Sequence, residues 1–360
     1  MTRLIQRHWT IYVPIIAVLI LTALWTAHPS GWAVIVPGML LLGSVLAAVH
    51  HAEVIAERVG EPFGSLILAI AVTTIEVGLI VTLMLDASDK NSALARDTIF
   101  AAIMICCNGI VGLCLIISAL RQRVATFNAA GSRNTFGAIL TLSFLALALP
   151  TFTEHPGPRL STTQLTSAAA VSLVIYVLYV FTQTVRHRDY FLPVGAEGDL
   201  IDDEQPSDVT TRAAQISTVL LMVALISVVG LAKLVSPTIE DGVSAIGLEY
   251  TIVGVLIAMM VLLPESIAAV RAALRDRVQI SLNLGLGSAM ASIGLTIPAV
   301  AFASIWAGPL DLGLGGVHLV LLATTAVTGI LTLTGGRATT LQGGLHLTIF
   351  ISYFVTSVSP

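Results

Sequence analysis

Charged residues are scarce in this chain. Asp, Glu, Lys and Arg make up 11% of the 360 residues, whereas hydrophobic residues make up 56%. A soluble globular protein carries about 25% charged residues, so the composition excludes a sizeable soluble domain. Apolar runs long enough to cross a bilayer recur from one end of the sequence to the other. The sequence therefore predicts an all-α polytopic membrane protein.

Cysteine and the common cofactor motifs are also scarce. The cysteines, Cys106, Cys107 and Cys114, fall in one predicted span, which argues against a disulfide framework, and an adjacent pair is not a zinc spacing. We interpret them as small packing residues. The phosphate-binding pattern GxxxxGK[ST] does not occur. We therefore predict no cofactor, no nucleic-acid partner and no enzyme that hydrolyses a nucleotide.

The apolar runs predict about eleven transmembrane helices. We place them at about 11–28, 33–52, 64–85, 98–120, 135–152, 165–185, 213–235, 248–270, 280–306, 314–334 and 339–357. The first run resembles a signal peptide, but it is long and further spans follow at once, so we expect an uncleaved helix.

The distribution of basic residues predicts the orientation in the membrane. With the N-terminus in the cytoplasm, thirteen of the 17 Lys and Arg residues fall on the cytoplasmic side. The remaining four are Lys90, Arg96, Arg159 and Lys233. Cytoplasmic loops are enriched in Lys and Arg, so we predict a cytoplasmic N-terminus and a periplasmic or extracellular C-terminus.

A polar stretch near the middle divides the chain. We predict an extra helix in 1–30, a five-helix repeat in 31–185, an acidic cytoplasmic loop in 186–212 and a second five-helix repeat in 213–360. Because each repeat has an odd number of spans, the second starts on the opposite side of the membrane, which is an inverted repeat. The loop is either a flexible linker or a regulatory, cation-gathering segment.

Two glutamates interrupt spans that are otherwise apolar. Glu76 lies in the second helix of the first repeat, and Glu265 lies in the second helix of the second repeat. An acidic residue at the centre of a span costs roughly 2.5–3.5 kcal/mol on insertion scales, and such residues commonly mark ion pathways. The matching positions predict that Glu76 and Glu265 form one site that binds a metal cation and exchanges protons.

Several neutral polar residues lie near these glutamates in the sequence. Thr73 precedes Glu76 by about one turn, and Pro264 frees a backbone carbonyl beside Glu265. Asn108, Ser288 and Ser292 lie at mid-span in the helices that follow the glutamates. We predict that Thr73, Asn108, Ser288 and Ser292 support the ion site. The serines and the asparagine are equally compatible with packing or hydrogen bonding between helices.

The residue types suggest how such a site works. A buried carboxylate is costly unless it is neutralised, and either a proton or a cation can neutralise it. Protons and the cation then compete for the same oxygens, which amounts to an exchange mechanism. Two glutamates can in principle trade two protons for one divalent ion.

A histidine-rich segment lies at the end of the second span. His50, His51 and Glu53 form either an interfacial cluster or an ion-entry and pH-sensing vestibule. The metalloprotease pattern HExxH does not occur there. His318 and His346 are isolated in the last two spans, and the sequence assigns them no role.

Two stretches of the sequence resemble the calcium/cation antiporters, in particular the bacterial ChaA-type calcium/sodium–proton antiporters. The resemblance lies in residues 53–76 and in residues 264–298, which carry the glutamates within glycine-containing and proline-containing patterns. It implies that Glu76 and Glu265 bind the ion and exchange protons, and that Ser288 lines the site. Where many members carry Gly-Asn ahead of each glutamate, this chain has Val72-Thr73 and Val261-Leu262. That difference leaves sodium and potassium as substrates beside calcium.

We therefore expect a secondary cation/proton antiporter of the bacterial inner membrane. The partners are calcium, protons and membrane lipid, with sodium or potassium as further substrates. The alternatives are a monovalent cation/proton antiporter, a passive cation channel, for which no filter-like motif occurs, and an intramembrane enzyme. The sequence leaves the oligomeric state open.

Overall fold

The computed structural model describes residues 2–25, 31–60, 63–85, 92–154, 158–192, 209–245, 247 and 251–358. The acidic part of the predicted central loop, residues 193–208, lies outside the described residues, as does Lys90.

Eleven helices contain most of the described residues. They are α1 (Thr2–Leu24), α2 (Ile35–Val59), α3 (Phe63–Leu85), α4 (Leu94–Gln122), α5 (Ala129–Phe152), α6 (Thr162–Arg186), α7 (Thr211–Ala245), α8 (Thr251–Leu274), α9 (Val278–Ala307), α10 (Gly316–Leu333) and α11 (Thr340–Val358). Ten of the described helices contain segments long and apolar enough to cross a membrane, and α1 contributes the shorter apolar segment His8–Leu24. The predicted all-α polytopic fold with eleven helices is confirmed.

Several helices extend beyond the apolar runs from which they were predicted. The second span was expected to end near residue 52, but α2 continues to Val59, and α7 continues to Ala245 rather than ending near 235. Hydropathy marks only the part of a helix that faces hydrocarbon, whereas backbone hydrogen bonding continues through polar residues at the interface. The histidine-rich segment therefore belongs to α2 itself.

Three helices contain a wide turn of the π type. These turns are Ile105–Ile110 in α4, Phe144–Ala148 in α5 and Thr182–Arg186 in α6. The insertion of one residue into a helical turn changes the direction in which the following side chains point, and such turns are frequent at functional sites. The helix α6 begins with a capping box, in which Ser161 and Gln164 satisfy each other's backbone N–H groups.

A group of four helices, α3, α4, α8 and α9, makes many of the contacts between the two halves of the chain. The helix α3 packs against α9, α4 packs against α8, and α8 packs against α9. Outside this group α2 pairs with α7, and α1 packs on both of them. Among the described spans α4 is the most enclosed by protein and α6 is the least. This packing brings together the second and third helices of the two predicted repeats, which are α3 and α4 in the first repeat and α8 and α9 in the second.

Short polar contacts join the helix ends. At one end of the bundle the strand β1 (Ala125–Thr126) pairs antiparallel with β2 (Arg337–Ala338), and Arg121 pairs with Asp276. At the other end Asp311, before α10, accepts hydrogen bonds from Arg159 and Ser92. Burial alone raises the pKa of Asp311, but the hydrogen bonds from Arg159 and Ser92 and the nearby charges of Arg159 and Arg96 outweigh it and lower that pKa.

Candidate functional site

Glu76 on α3 and Glu265 on α8 line one cavity at the centre of the molecule. Their exposed fractions are 3% and 5%, so both side chains are buried. The cavity has a volume of about 110 Å³ and lies between α3, α6, α8 and α9. The structure thus brings together the two carboxyl groups that the sequence placed at matching positions of the repeats.

The cavity wall combines apolar and polar residues, and nine of the seventeen lining residues carry a polar side-chain group. Its lining consists of Leu68, Ala69, Val72, Thr73, Glu76, Tyr176, Tyr179, Val180, Gln183, Thr184, Leu262, Glu265, Asn283, Leu284, Gly287, Ser288 and Ala291. No Lys, Arg or His is present among the described residues of this wall. The negative charge of an ionised Glu76 or Glu265 would therefore have no basic partner within the cavity.

Glu76 has a hydroxyl partner from the opposite repeat. The Oγ atom of Ser292 on α9 donates a hydrogen bond to Oε1 of Glu76 over 2.6 Å. Glycines bring α9 close to its neighbours: a Cβ at Gly285 would lie 3.1 Å from Ile110, and one at Gly294 would lie 2.9 Å from Tyr176. Small residues therefore let α9 approach its neighbours closely, and this approach places the Ser292 side chain beside Glu76.

Glu265 has no such partner. Both of its carboxylate oxygens are buried, and neither has a hydrogen-bond partner among the described residues. A buried ionised carboxylate without a partner is strongly unfavourable, so this group requires either a proton or a cation. Pro264, one residue earlier, lies inside the continuous helix α8.

The predicted supporting residues fall in different places. Thr73 and Ser288 line the cavity, and Ser292 contacts Glu76. Asn108 is not part of the cavity wall. It lies in the wide turn of α4, where its Nδ2 donates to Thr325 Oγ1 over 2.9 Å. Of the four residues, three are therefore at or beside the cavity.

The histidine-rich segment lies outside the cavity lining. His51 is buried, with its ring nitrogens 3.2 Å from Ser217 Oγ on α7 and 3.0 Å from the Thr10 carbonyl on α1. His50 and Glu53 are exposed, and Glu53 is close enough to Glu265 to interact with it electrostatically. The side chain of His51 therefore connects α1, α2 and α7.

Sequence reasoning missed the contribution of α6 and the start of α9. Tyr176, Tyr179, Gln183 and Thr184 form one wall of the cavity, and Asn283 forms part of another. Asn283 gave a detectable signal, because it follows Gln279 by one helical turn in an apolar span. Tyr176 and Tyr179 gave no signal of a site in the sequence, since an aromatic residue in a span is equally compatible with a lipid-facing or a packing position.

The site has few of the side chains, such as His and Cys, that bind a permanently held metal ion in proteins. In the described part of the chain, no group of three or more His, Cys, Asp or Glu side chains is arranged to hold a metal ion. A cation in the cavity would therefore be coordinated by the two carboxylates together with hydroxyl, amide or backbone oxygens, or water. Oxygen ligands of this kind suit hard cations.

One protein family model matches two separate segments of the chain. The model of the sodium/calcium exchanger protein family matches residues 30–185 and 216–359. The chain belongs to this family. The putative ionic transporter y4hA of Sinorhizobium fredii is 43% identical over 328 residues, which cover 89% of this chain and 87% of that protein. The sodium-potassium/proton antiporter ChaA of Escherichia coli is 30% identical over 356 residues, covering 98% and 96%.

The fold also matches a solved exchanger structure. The H⁺/Ca²⁺ exchanger CAX superposes with a TM-score of 0.74 at 15% identity, covering 97% of this chain and 88% of that one. The expected resemblance to calcium/cation antiporters is confirmed, as is the polytopic fold with inverted repeats. The chain is a multi-pass membrane protein of an exchanger family whose substrates are ions.

Proposed function

We propose that this protein is a secondary antiporter that exchanges calcium for protons at Glu76 and Glu265, with sodium or potassium as further substrates. The observation that carries the proposal is the cavity lined by both carboxyl groups and by no described basic residue. Family membership supports cation exchange in general. The assignment of these residues and of calcium is our inference from the site.

The chemistry of the site supports competition between protons and a cation. The Glu265 oxygens have no partner among the described residues, so an empty site requires protonation. A divalent ion between two carboxylates neutralises both and displaces two protons. When the cation leaves, protons must return. Exchange follows without a separate proton pathway.

The position of the cavity supports access from the cytoplasm. Gln183 and Thr184 lie in the last turns of α6 beside Arg186, and Asn283 lies near the start of α9 soon after Arg277. These arginine-rich ends are cytoplasmic by the positive-inside rule. We infer an inward-facing arrangement in the bacterial inner membrane, from which an inward proton gradient would drive cation export.

The second candidate is a monovalent cation/proton antiporter. The Escherichia coli relative, which matches nearly the whole chain, is named a sodium-potassium/proton antiporter. Besides the two carboxylates, the hydroxyl and amide groups of the described cavity wall are neutral, so they do not by themselves select calcium over a monovalent cation. The similarity to this relative favours inclusion of sodium and potassium in the test.

The test is proton flux in proteoliposomes that hold a set pH gradient. Calcium, sodium and potassium are added in turn to the wild type, Glu76→Gln and Glu265→Gln. We expect calcium to collapse the wild-type gradient and both variants to lose at least about 10²-fold in rate, since each removes a group that carries proton and cation. A response to monovalent ions alone selects the second candidate.

Two outcomes contradict the proposed site or the antiporter class. Normal exchange by both variants would show that the glutamates are not the exchanging groups. Cation flux that is independent of the pH gradient would indicate a passive channel instead.

A further inference from the structure

A second buried polar cluster lies on the side of α4 away from the cavity. It consists of Asn108 in α4, Thr325 and Thr332 in α10 and His346 in α11, each with an exposed fraction of 0% or 1%. None of these residues belongs to the cavity wall. Polar groups inside a membrane protein need partners because no water is available, and these residues provide them for one another.

The hydrogen bonds of this cluster fix the state of the histidine ring. Asn108 Nδ2 donates to Thr325 Oγ1 over 2.9 Å, so the Oδ1 atom of Asn108 is the acceptor for His346 Nδ1 at 3.1 Å. The proton of the neutral imidazole therefore lies on Nδ1. Nε2 accepts from Thr332 Oγ1 over 3.3 Å. One neutral histidine thus links α4, α10 and α11.

The cluster holds the wide turn of α4. Asn108 lies within the turn Ile105–Ile110, and α11 approaches α4 so closely that a Cβ at Gly112 would lie 2.9 Å from both the Gly343 carbonyl and His346 Cβ. A wide turn lacks the regular hydrogen-bond pattern of an α-helix. The contacts to α11 therefore fix where this turn lies.

The opposite face of the same turn lies against the helices of the site. A Cβ at Gly285 of α9 would lie 3.1 Å from Ile110 and 3.6 Å from the Cys106 carbonyl. Cys106 is close enough to Glu76 and Glu265 to interact electrostatically with both. The helix α9 also carries Ser292, one turn after Ser288, and the Ser292 hydroxyl donates a hydrogen bond to Glu76. A displacement of the turn would therefore move α9 and the walls around the carboxylates.

We infer that His346 and Asn108 are positioning residues for ion binding, acting through the wide turn of α4. The inference rests on the proposed function, because it concerns the geometry of the same glutamate site. The two residues touch neither the cation nor the carboxylates. They hold α4, and α4 holds α9, so their loss changes the affinity for the cation more than the maximal rate.

The test measures KM and kcat for exchange in proteoliposomes, with calcium and again with sodium. His346→Leu removes the hydrogen bonds to Asn108 and Thr332 together with the ring's contact to the Cys107 backbone, and Thr332→Val removes only the hydrogen bond to Nε2. We expect His346→Leu to raise KM about 10-fold, within the about 10²-fold that a displacement of 1 Å far from a reacting centre can cause. Thr332→Val is expected to raise KM about threefold. kcat should stay within about twofold of the wild type in both variants.

Two further variants separate positioning from general stability. His346→Gln keeps a side-chain amide that can donate to Asn108 and accept from Thr332, and it should restore the wild-type KM. Ser227→Ala removes a buried hydroxyl on α7 that shares its proton between the Val223 and Pro14 carbonyls. This variant should keep the wild-type KM even when its thermal unfolding midpoint is lower.

The inference is overturned if Thr332→Val and His346→Leu fold and keep the wild-type KM. If His346→Leu does not fold, Thr332→Val alone decides, and a wild-type KM there overturns the inference. The wild type distinguishes this result from a failure of the proposed function. If the proposed function were wrong, the wild type itself would show no proton-coupled flux.

Discussion

At the scale of single residues, the two glutamates differ in their surroundings. Glu76 accepts a hydrogen bond from Ser292, whereas both oxygens of Glu265 lack a partner within the described structure. A donated hydrogen bond stabilises an ionised carboxylate. The hydrogen bond from Ser292 therefore stabilises the ionised form of Glu76, whereas the ionised form of Glu265 has no such stabilisation. The two groups need not release their protons together.

Ser292→Ala tests the value of this hydrogen bond. We expect exchange to persist with an apparent KM for the cation raised about 10-fold, since a hydrogen bond to a charged group contributes about 1.5–3 kcal/mol. The measurement is initial rate against cation concentration in proteoliposomes. Ser266→Ala is the matched control, because the Ser266 hydroxyl donates to the Leu262 carbonyl of its own helix. An unchanged KM in Ser292→Ala would show that the bond contributes nothing to binding.

Charged residues in the spans were easier to interpret from the sequence than neutral polar residues. Glu76 and Glu265 were distinct in the sequence because a charged side chain in an apolar span is costly and therefore rare. Asn108 and His346 could not be placed, since a neutral polar residue in a span can pair with whichever helix lies next to it. Only the packing of α4 against α10 and α11 shows that these two residues bind each other.

At the scale of helices, α6 and α9 pack against each other through Gly294. A Cβ at this position would lie 2.9 Å from Tyr176, a residue of the cavity wall. Gly294→Ala should therefore lower stability by about 1–3 kcal/mol through overpacking and slow exchange. Thermal unfolding in detergent and the exchange rate measure the two effects.

Gly137→Ala in α5 is the control for this substitution. No atom lies within 4 Å of a Cβ built at Gly137, so alanine there should be neutral or stabilise the helix by up to about 1 kcal/mol. Equal effects of the two substitutions would contradict the proposed role of the α6–α9 contact.

Asp311 joins the loop after α9 to the start of α6 through Arg159. Since its pKa is lowered in the folded protein, Asp311 stabilises the fold above its unfolded pKa of about 3.9, and this stabilisation disappears as the pH falls through the folded value. Asp311→Asn should lower the thermal midpoint by about 2–4 °C at neutral pH. The difference should shrink below about pH 4.

The exposed carboxyl of Asp241, in the last turns of α7, provides the control. Asp241→Asn should leave the midpoint unchanged at both pH values. A constant deficit of Asp311→Asn down to low pH would show that the loss comes from side-chain shape and not from charge.

The sequence predicted where helices lie better than how they bend. Apolar runs locate spans because burial in hydrocarbon requires them. The wide turns of α4, α5 and α6 had no such signal, because an inserted residue leaves the composition of the span unchanged. Of the three turns, the one in α6 contributes Gln183 and Thr184 to the cavity wall.

At the scale of the whole molecule, the cavity is expected to open on the cytoplasmic side only. A cysteine at Gln183 should react with a membrane-impermeant thiol reagent in everted vesicles and not in intact cells. A cysteine at Thr162, at the other end of α6, should show the reverse pattern. The native Cys106, Cys107 and Cys114 are buried and should react little. Labelling of Gln183→Cys only from outside would reverse the orientation.

The exposed position of α6 has a consequence for the membrane around the protein. This helix forms a wall of the cavity, yet only 11% of its apolar segment is buried by protein. On this side, α6 alone would separate a cation in the cavity from the hydrocarbon of the bilayer. Mismatch between a span and the bilayer costs fractions of a kcal/mol per Å, and here that strain would act directly on a wall of the cavity. Exchange should accordingly vary with the acyl-chain length of the host lipid.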